Sequence, residues 1–333
     1  MKKKVSISTL FIICFFVSIL TYAIPELLRP KKQQASVKVV NNCKSEMEQI
    51  RLNKYKYVKT LVLSDIDNES STFSSLRSSI EQYIQLAKSN DQVNDISVYF
   101  RKLNDGSWFC INQDATFNPA SMSKIIFLIT YLKEAETSPG ILNKKIFFEK
   151  HFSGIYTPNI KDFELKERAN YSIKDLLTYM IKYSDNDATQ LIIQNLNKEI
   201  YLNIFSDLKI STPPEFGEYV INTTDYSKFF RALYNGSYIR SDLSEFGLEL
   251  LTQSTFNDGL KKGIDTSVEI SHKFGERVLD NIAQLHEFGI VFADNEPYLI
   301  GIMTRGKSLQ QLSTIISQIS KITYSGYRSN LHS

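Results

Sequence analysis

A serine followed three residues later by a lysine begins a helical segment that is apolar almost all round. Ser121 and Lys124 lie in Ser-Met-Ser-Lys, so their side chains can share one face of a helix. A serine hydroxyl is a poor nucleophile unless a base takes its proton, and a lysine can be that base once burial lowers its pKa. The same spacing recurs at Ser206 and Lys209, where we attribute it to chance. Alone, the first pair fits a helix-capping serine and a solvated lysine better.

A second polar group, Ser184-Asp185-Asn186, follows a helix that is expected to end near Ile181. Its hydroxyl can relay a proton toward a leaving group. Its amide can donate to a substrate carbonyl and accept from Lys124. Because Ser, Asp and Asn all cap helices well, the group equally fits an ordinary helix N-cap.

A third group, Lys273-Phe274-Gly275, lies on a predicted strand. A glycine on an edge strand lets a ligand backbone approach closely, and Lys273 would attract a substrate carboxylate. The alternative is a plain strand with an exposed lysine.

The three groups come in an order that places one at the start of a buried helix, one in a helical block and one in a returning sheet. Together they favour a single active site.

The three motifs resemble the Ser-x-x-Lys, Ser-Asp-Asn and Lys-Thr-Gly of class A β-lactamases and penicillin-binding proteins, over residues 72–325. The resemblance implies an acyl-enzyme on Ser121, with Lys124 as activating base and Ser184 as proton relay. It implies an oxyanion hole made by the backbone N–H groups of Ser121 and Glu276 or a near neighbour. The substrate-binding residues that it implies are Tyr183, Asn186, Lys273 and Gly275.

Two departures from the family pattern bear on the reaction. Phe274 replaces the threonine whose hydroxyl would contact the substrate carboxylate, so Arg277 is a candidate substitute. The Glu-x-x-Leu-Asn signature, whose glutamate activates the deacylating water in class A β-lactamases, is missing. Glu215 and Glu218 are the only carboxylates in residues 211–224, and solvated loop glutamates are the simpler interpretation. We therefore expect slow deacylation.

The elements around the motifs predict an α+β fold. A helix at residues 73–86 precedes a hairpin, a mainly helical block follows, and strands and a helix close the chain. The strands can form one antiparallel sheet, flanked by N- and C-terminal helices, if the two ends of the domain meet. An all-helical lobe at about 121–262 would then be inserted. The predicted strands are residues 96–103, 107–111, 267–274, 285–292 and 298–304, and the closing helix is 309–322.

The N-terminus carries an apolar stretch, residues 5–24, directly after three lysines. Its length suits a membrane-spanning helix, although a cleaved signal peptide remains an alternative. We expect residues 1–25 to be an anchor or signal, 26–70 a stalk, and 71–330 the hydrolase domain. The domain would then lie on the external face of the cell membrane, or be secreted if the segment is cleaved.

The net charge and the cysteine content limit the classes of partner and cofactor that the sequence suggests. A formal net charge of +3 with scattered basic residues gives no reason to expect nucleic acid. No cysteines have metal-ligand spacing, and no cofactor is implied. Cys43 and Cys110 could pair in an oxidising compartment, but we favour two free thiols. His272 and His286 are interpreted as strand-packing or surface residues, because lysine-assisted chemistry does not need them.

Two function classes remain open. The first is a monomeric serine hydrolase that acts on β-lactams, on D-alanyl peptides of the cell wall or on small esters. The second is a catalytically silent, membrane-tethered protein that binds cell-wall peptides. All five polar motif residues are present, and a silent protein has no need of them, so the enzyme is the preferred hypothesis.

Overall fold

The computed structural model describes residues 55–58, 69–153, 164–215 and 217–331. The predicted anchor, Cys43 and most of the predicted stalk lie outside these residues. Within the described part of the chain, no helix is long and apolar enough to cross a membrane.

A five-stranded antiparallel sheet forms the centre of the domain, in the order β2-β1-β7-β6-β5. The first and last parts of the domain meet where β1 pairs with β7, from Asp95 opposite Arg305 to Lys102 opposite Tyr298. This pairing confirms the predicted α+β fold, and it leaves β5 at an edge. The strands are β1 (Asp95–Lys102), β2 (Trp108–Ile111), β5 (Ile270–Leu279), β6 (Ile282–Val291) and β7 (Tyr298–Gly306).

Two terminal helices cover one face of the sheet. In α1 (Ser74–Ser89) the buried residues Leu76, Ile80, Ile84 and Ala87 recur at helical spacing. The closing helix α8 (Leu309–Leu331) is longer than the sequence predicts. Both helices pack with the strands in one apolar core, which includes Phe100, Phe274 and Ile302.

The helical lobe covers the other face and forms a second core, to which Tyr99, Phe288 and Met303 contribute from the sheet. Its N-caps include Ser172, whose capping box with Asp175 begins α3. Its helices are α2 (Lys124–Thr137), α3 (Ile173–Lys182), α4 (Asn186–Gln194), α5 (Lys198–Asp207), α6 (Thr223–Asn235) and α7 (Ser241–Thr252).

The expectation that this lobe is all helical is wrong in one place. A two-stranded antiparallel sheet joins β3 (Lys145–Phe148) to β4 (Ala169–Ser172). Each strand has only four residues, which is too short for an alternating pattern to stand out from a helical background.

A short piece of the predicted stalk lies against the domain. The carboxylate of Glu245 on α7 accepts the backbone N–H groups of Lys56, Tyr57 and Val58 at 2.6, 2.8 and 2.7 Å. Val58 is buried at Gly236, where an added Cβ would come within 2.5 Å of its side chain. Residues 55–58 therefore pack on helix α7 of the domain.

Candidate active site

The Ser121 turn, residues 118–123, precedes the buried helix α2. Ala120 has a left-handed backbone with a φ of 47°, and residues 120–123 form a single 3₁₀ turn. A left-handed conformation at a non-glycine residue costs on the order of 1–3 kcal/mol and persists only where the surroundings impose it. Here Asn118 Oδ1 accepts the Ala120 N–H at 2.8 Å, and the Tyr226 hydroxyl donates to the Met122 carbonyl at 2.8 Å. Ser121 itself is partly exposed.

Gly275 brings strand β5 against this turn. A Cβ at Gly275 would lie 2.5 Å from the Pro119 carbonyl oxygen and 2.8 Å from the Met122 nitrogen. No other residue fits that gap without moving backbone. In this structure Gly275 therefore permits close contact between the strand and the Ser121 turn, in addition to the ligand approach that the sequence suggests.

Lys124 is almost fully buried, at 3% exposed. Its Nζ donates to Ser184 O at 2.5 Å, to Ser184 Oγ at 3.1 Å and to Asn186 Oδ1 at 2.7 Å. Three acceptors match the three N–H bonds of an ammonium group. Burial lowers the pKa of Lys124 to about 7, an effect that the Asp185 carboxylate opposes. In the described structure the Ser121 hydroxyl is not among the hydrogen-bond partners of Lys124.

Lys273 reaches the same serine from the sheet. Its Nζ donates to Ser184 Oγ at 3.1 Å and to the Phe274 carbonyl at 2.8 Å, and the side chain is fully buried. Burial, and then the nearby Lys124 charge, lower the pKa of Lys273 well below its usual range. Ser184 is also buried and has a left-handed φ of 55°. Two lysines thus converge on one hydroxyl.

The other residues predicted for substrate binding lie around this centre. Tyr183, beside Ser184, is partly exposed, and its ring stacks on Tyr179 with centroids 6.4 Å apart. Phe274 points to the opposite face of the sheet and stacks on Phe256 at 4.2 Å. The Lys273 Nζ also lies over the Phe274 ring, 4.2 Å from its centroid, so this core residue borders the site and has no hydroxyl for a substrate carboxylate.

The two loop glutamates are both exposed, as the simpler interpretation predicts. Glu218 forms an ion pair with Arg277, the residue that we considered for carboxylate recognition. Neither glutamate is buried in a position that would hold a water against Ser121. In the described ranges, no group of histidine, cysteine and acidic residues could hold a metal ion. Cys110 is a buried free thiol.

The sequence did not indicate the hydrogen bonds of two buried histidines, one on each face of the sheet. His286, expected to pack or face solvent, is fully buried with both ring nitrogens hydrogen-bonded, one of them to Asn118 in the Ser121 turn. His272 is buried too and pairs with Glu287 on the far side of the sheet, at 2.6 Å. Both strands contain other polar residues, so no local pattern distinguishes these two histidines.

Comparison with known proteins agrees with this geometry. A family model described as the β-lactamase enzyme family matches residues 75–327. A search of curated protein sequences found no significant match. The TLA-1 extended-spectrum β-lactamase shares the fold with a TM-score of 0.68 at 16% identity, over 77% of this chain and 99% of its own.

Two further structures share the fold. A β-lactamase from Chitinophaga pinensis has a TM-score of 0.67 at 14% identity, covering 76% of this chain and 99% of its own. A mutant of PBP-A, solved as an acyl-enzyme complex with penicillin G, has a TM-score of 0.64 at 19% identity, covering 77% and 97%. Because the family model spans most of the sequence and the motifs meet in space, the chain belongs to the β-lactamase enzyme family and is a serine hydrolase of the β-lactamase type.

Proposed function

We propose that Ser121 is acylated by β-lactams or by D-alanyl peptides of the cell wall, and that the acyl-enzyme is hydrolysed slowly. The observation that carries this proposal is the convergence of Lys124 and Lys273 on the Ser184 hydroxyl, next to the turn that presents Ser121. Two buried lysine side chains that share one hydroxyl have no structural advantage. They suit a site that moves a proton and attracts an anionic substrate.

Lys124 acts as the base that activates Ser121. A pKa of about 7 leaves a substantial neutral fraction at physiological pH, because desolvation disfavours the ammonium form. Loss of one proton leaves Lys124 with two N–H donors for its three present acceptors. The freed lone pair can then turn toward the Ser121 hydroxyl, one helical turn away.

Ser184 passes the proton on to the leaving group. Its oxygen already receives N–H groups from both lysines, so its own hydrogen is used in neither bond and can be donated to a leaving group. Asn186 holds Lys124 through its amide oxygen, and its NH₂ group is a donor of the kind that binds a substrate carbonyl. Lys273, in its protonated form, supplies positive charge for a substrate carboxylate, and the partly exposed Tyr183 beside Ser184 contacts the substrate.

Slow deacylation follows from the surroundings of the two loop glutamates. A deacylating base must hold a water against the ester carbonyl, which an exposed glutamate paired with Arg277 does poorly. Glu215 is exposed as well. A mutant of PBP-A forms an acyl-enzyme complex with penicillin G, which is the step that we propose for Ser121 in this chain.

The proposed location is the external face of the cell membrane, with residues 5–24 as the anchor. The support is the apolar sequence after Lys2, Lys3 and Lys4, which suits export of the domain that follows. The protein would act as a monomer that is tethered near its cell-wall substrate.

The test is to incubate residues 26–333 with penicillin G and to follow the intact mass over time. We expect a lasting adduct that is absent from Ser121→Ala. A transient adduct with released, hydrolysed penicillin would contradict slow deacylation. If neither penicillin nor a D-alanyl ester forms an adduct, the silent binding protein is the favoured alternative. In the described structure, Lys124 has no hydrogen bond to Ser121, which is consistent with that alternative.

A further inference from the structure

We propose that His286 is a positioning residue for acylation, which acts through Asn118 to hold the strained backbone that presents Ser121. The inference rests on the role of Ser121 proposed above. His286 lies on β6 and Asn118 in the Ser121 turn, 168 residues apart in sequence. The contact between them ties the nucleophile to the rigid sheet.

The hydrogen-bond partners of His286 fix its tautomer. A carbonyl oxygen can only accept, so Nε2, 3.0 Å from Asn118 O, must carry the proton. The backbone N–H of Thr304 donates to Nδ1 at 3.1 Å, so that nitrogen must be bare. The ring is therefore a neutral imidazole with one donor and one acceptor, both in use. It links strand β7 to the Ser121 turn.

The surroundings of His286 favour this neutral form. The ring is fully buried, the Phe117 ring lies edge-on at 5.3 Å, and the Arg305 guanidinium is nearby. Burial first, and Arg305 to a lesser degree, lower the pKa of His286 to about 3, while hydrogen bonds at Asn118 and Leu285 oppose that lowering. A second proton would also point at the Thr304 N–H. His286 is thus a fixed polar link rather than a general base.

Asn118 transmits this link to the nucleophile. Its carbonyl is held by His286, and its side-chain oxygen accepts the N–H of Ala120. Ala120, with its φ of 47°, immediately precedes Ser121. If the Asn118 carbonyl loses its donor, Ala120 can relax toward an ordinary conformation. That relaxation would rotate Ser121 away from the position in which it can attack.

The hydrogen bonds on the other side of the Ser121 turn do not replace this link. Tyr226 holds Met122, and the Ser123 hydroxyl donates to the Ala120 carbonyl at 2.8 Å. A further bond runs from the Met122 N–H to the Pro119 carbonyl at 2.9 Å, and none of these bonds involves Asn118 or the Ala120 N–H. His286 and Asn118 thus supply the constraint on the N-terminal side.

The test separates the acylation rate constant k2 from the dissociation constant K, by stopped-flow measurement with a fluorescent penicillin. The variants are His286→Leu, His286→Gln and Asn118→Ala. We expect His286→Leu and Asn118→Ala to lower k2 by about 10- to 100-fold, because a small misplacement of the nucleophile is costly. We expect K to stay within about threefold. His286→Gln, which keeps one donor and one acceptor, should restore most of k2.

Ser320→Ala is the matched control. It removes a buried hydroxyl that donates to the Leu260 carbonyl at 2.8 Å, in contact with neither Asn118 nor Ser121. It should lower the melting temperature and leave k2 unchanged. His286→Leu combined with Asn118→Ala should lose little more k2 than either single change, because both act through one turn.

Two outcomes would overturn the inference. If k2 is unchanged in both His286→Leu and Asn118→Ala, while the melting temperature falls, His286 only packs. Asn118 is partly exposed, so its variant remains informative if His286→Leu fails to fold. If the wild-type protein forms no adduct that depends on Ser121, both the proposed function and this inference are wrong. An intact Ser121 adduct with an unaltered k2 would refute the positioning role alone.

Discussion

The two faces of the β5–β6 hairpin bury different arrangements of ionisable side chains. Toward α8, the fully buried His272 and Glu287 pair at 2.6 Å, and the second Glu287 oxygen accepts the Leu260 N–H at 2.7 Å. Toward the helical lobe, Lys273 meets Lys124 at a shared hydroxyl. Neither ammonium in the described structure has a hydrogen-bonded carboxylate partner.

This difference distinguishes a structural polar cluster from a functional one. In the first cluster each Glu287 oxygen has a hydrogen-bond partner, although His272 Nε2 has none in the described structure. The two buried lysines at one serine have no such carboxylate partner, and burial lowers the pKa of both. Buried amines with lowered pKa values, beside left-handed Ala120 and Ser184, are typical of active sites.

The largest effect should come from Lys124. Replacing it with methionine keeps the volume and removes the base, so we expect acylation by penicillin to fall by about 10²- to 10⁴-fold. Lys209→Met is the matched control, since Ser206 and Lys209 have the same spacing but Lys209 is exposed. The acylation rate constants of both variants are measured by stopped-flow. Equal rates for Lys124→Met and wild type would show that another group activates Ser121.

The two faces should next separate in stability. Glu287→Gln places an NH₂ donor against either the His272 or the Leu260 N–H, and we expect a loss of roughly 1–3 kcal/mol in the free energy of unfolding. Lys273→Met replaces a buried amine with an apolar side chain of similar length, so it should leave that free energy unchanged or raise it, while acylation falls. Urea denaturation and acylation rates measure the two properties. If Lys273→Met destabilises the fold as much as Glu287→Gln, the contrast between the faces is wrong.

The pH profile tests the charge state of Lys124. The base must be neutral, and the folded pKa is about 7, so the acylation rate should fall about tenfold per pH unit below 7 and level off above it. The sign follows from a lysine pKa that burial lowers, which moves the neutral form into the physiological range. Acylation rates between pH 5.5 and 9 check this at constant ionic strength. A profile that is flat from 5.5 to 9 would exclude Lys124 as the titrating base.

The smallest effect is expected at the loop. Glu218→Gln removes an exposed ion pair with Arg277, whose contribution to stability should be about 0–1 kcal/mol. Deacylation of the penicillin adduct, followed by intact mass, should change by less than about twofold. Glu215→Gln serves as the comparison, because that glutamate is exposed on the same loop. A large loss of deacylation in Glu218→Gln alone would identify it as the water-activating base.

Much of the fold could be predicted because its patterns are local. The spacing of Leu76, Ile80 and Ile84 indicates α1, and Ser172 with Asp175 indicates the start of α3. The hairpins were predictable from polar turns between apolar runs. The short strands β3 and β4 were missed because four residues carry too little periodicity.

The sequence by itself determined which groups are available for chemistry. Ser121 and Lys124 share a helical turn by spacing alone, and the three motifs in order led to the family. The absence of a signature around Glu215 and Glu218 also needed no coordinates.

Only the tertiary structure decided the charge state and geometry of those groups. The lowered pKa of Lys124 and the burial of Lys273 arise because the helical lobe packs against the sheet. The link between His286 and Asn118 exists because β6 passes behind the Ser121 turn. Desolvation and contacts between distant residues depend on packing, and local spacing cannot reveal packing across 168 residues.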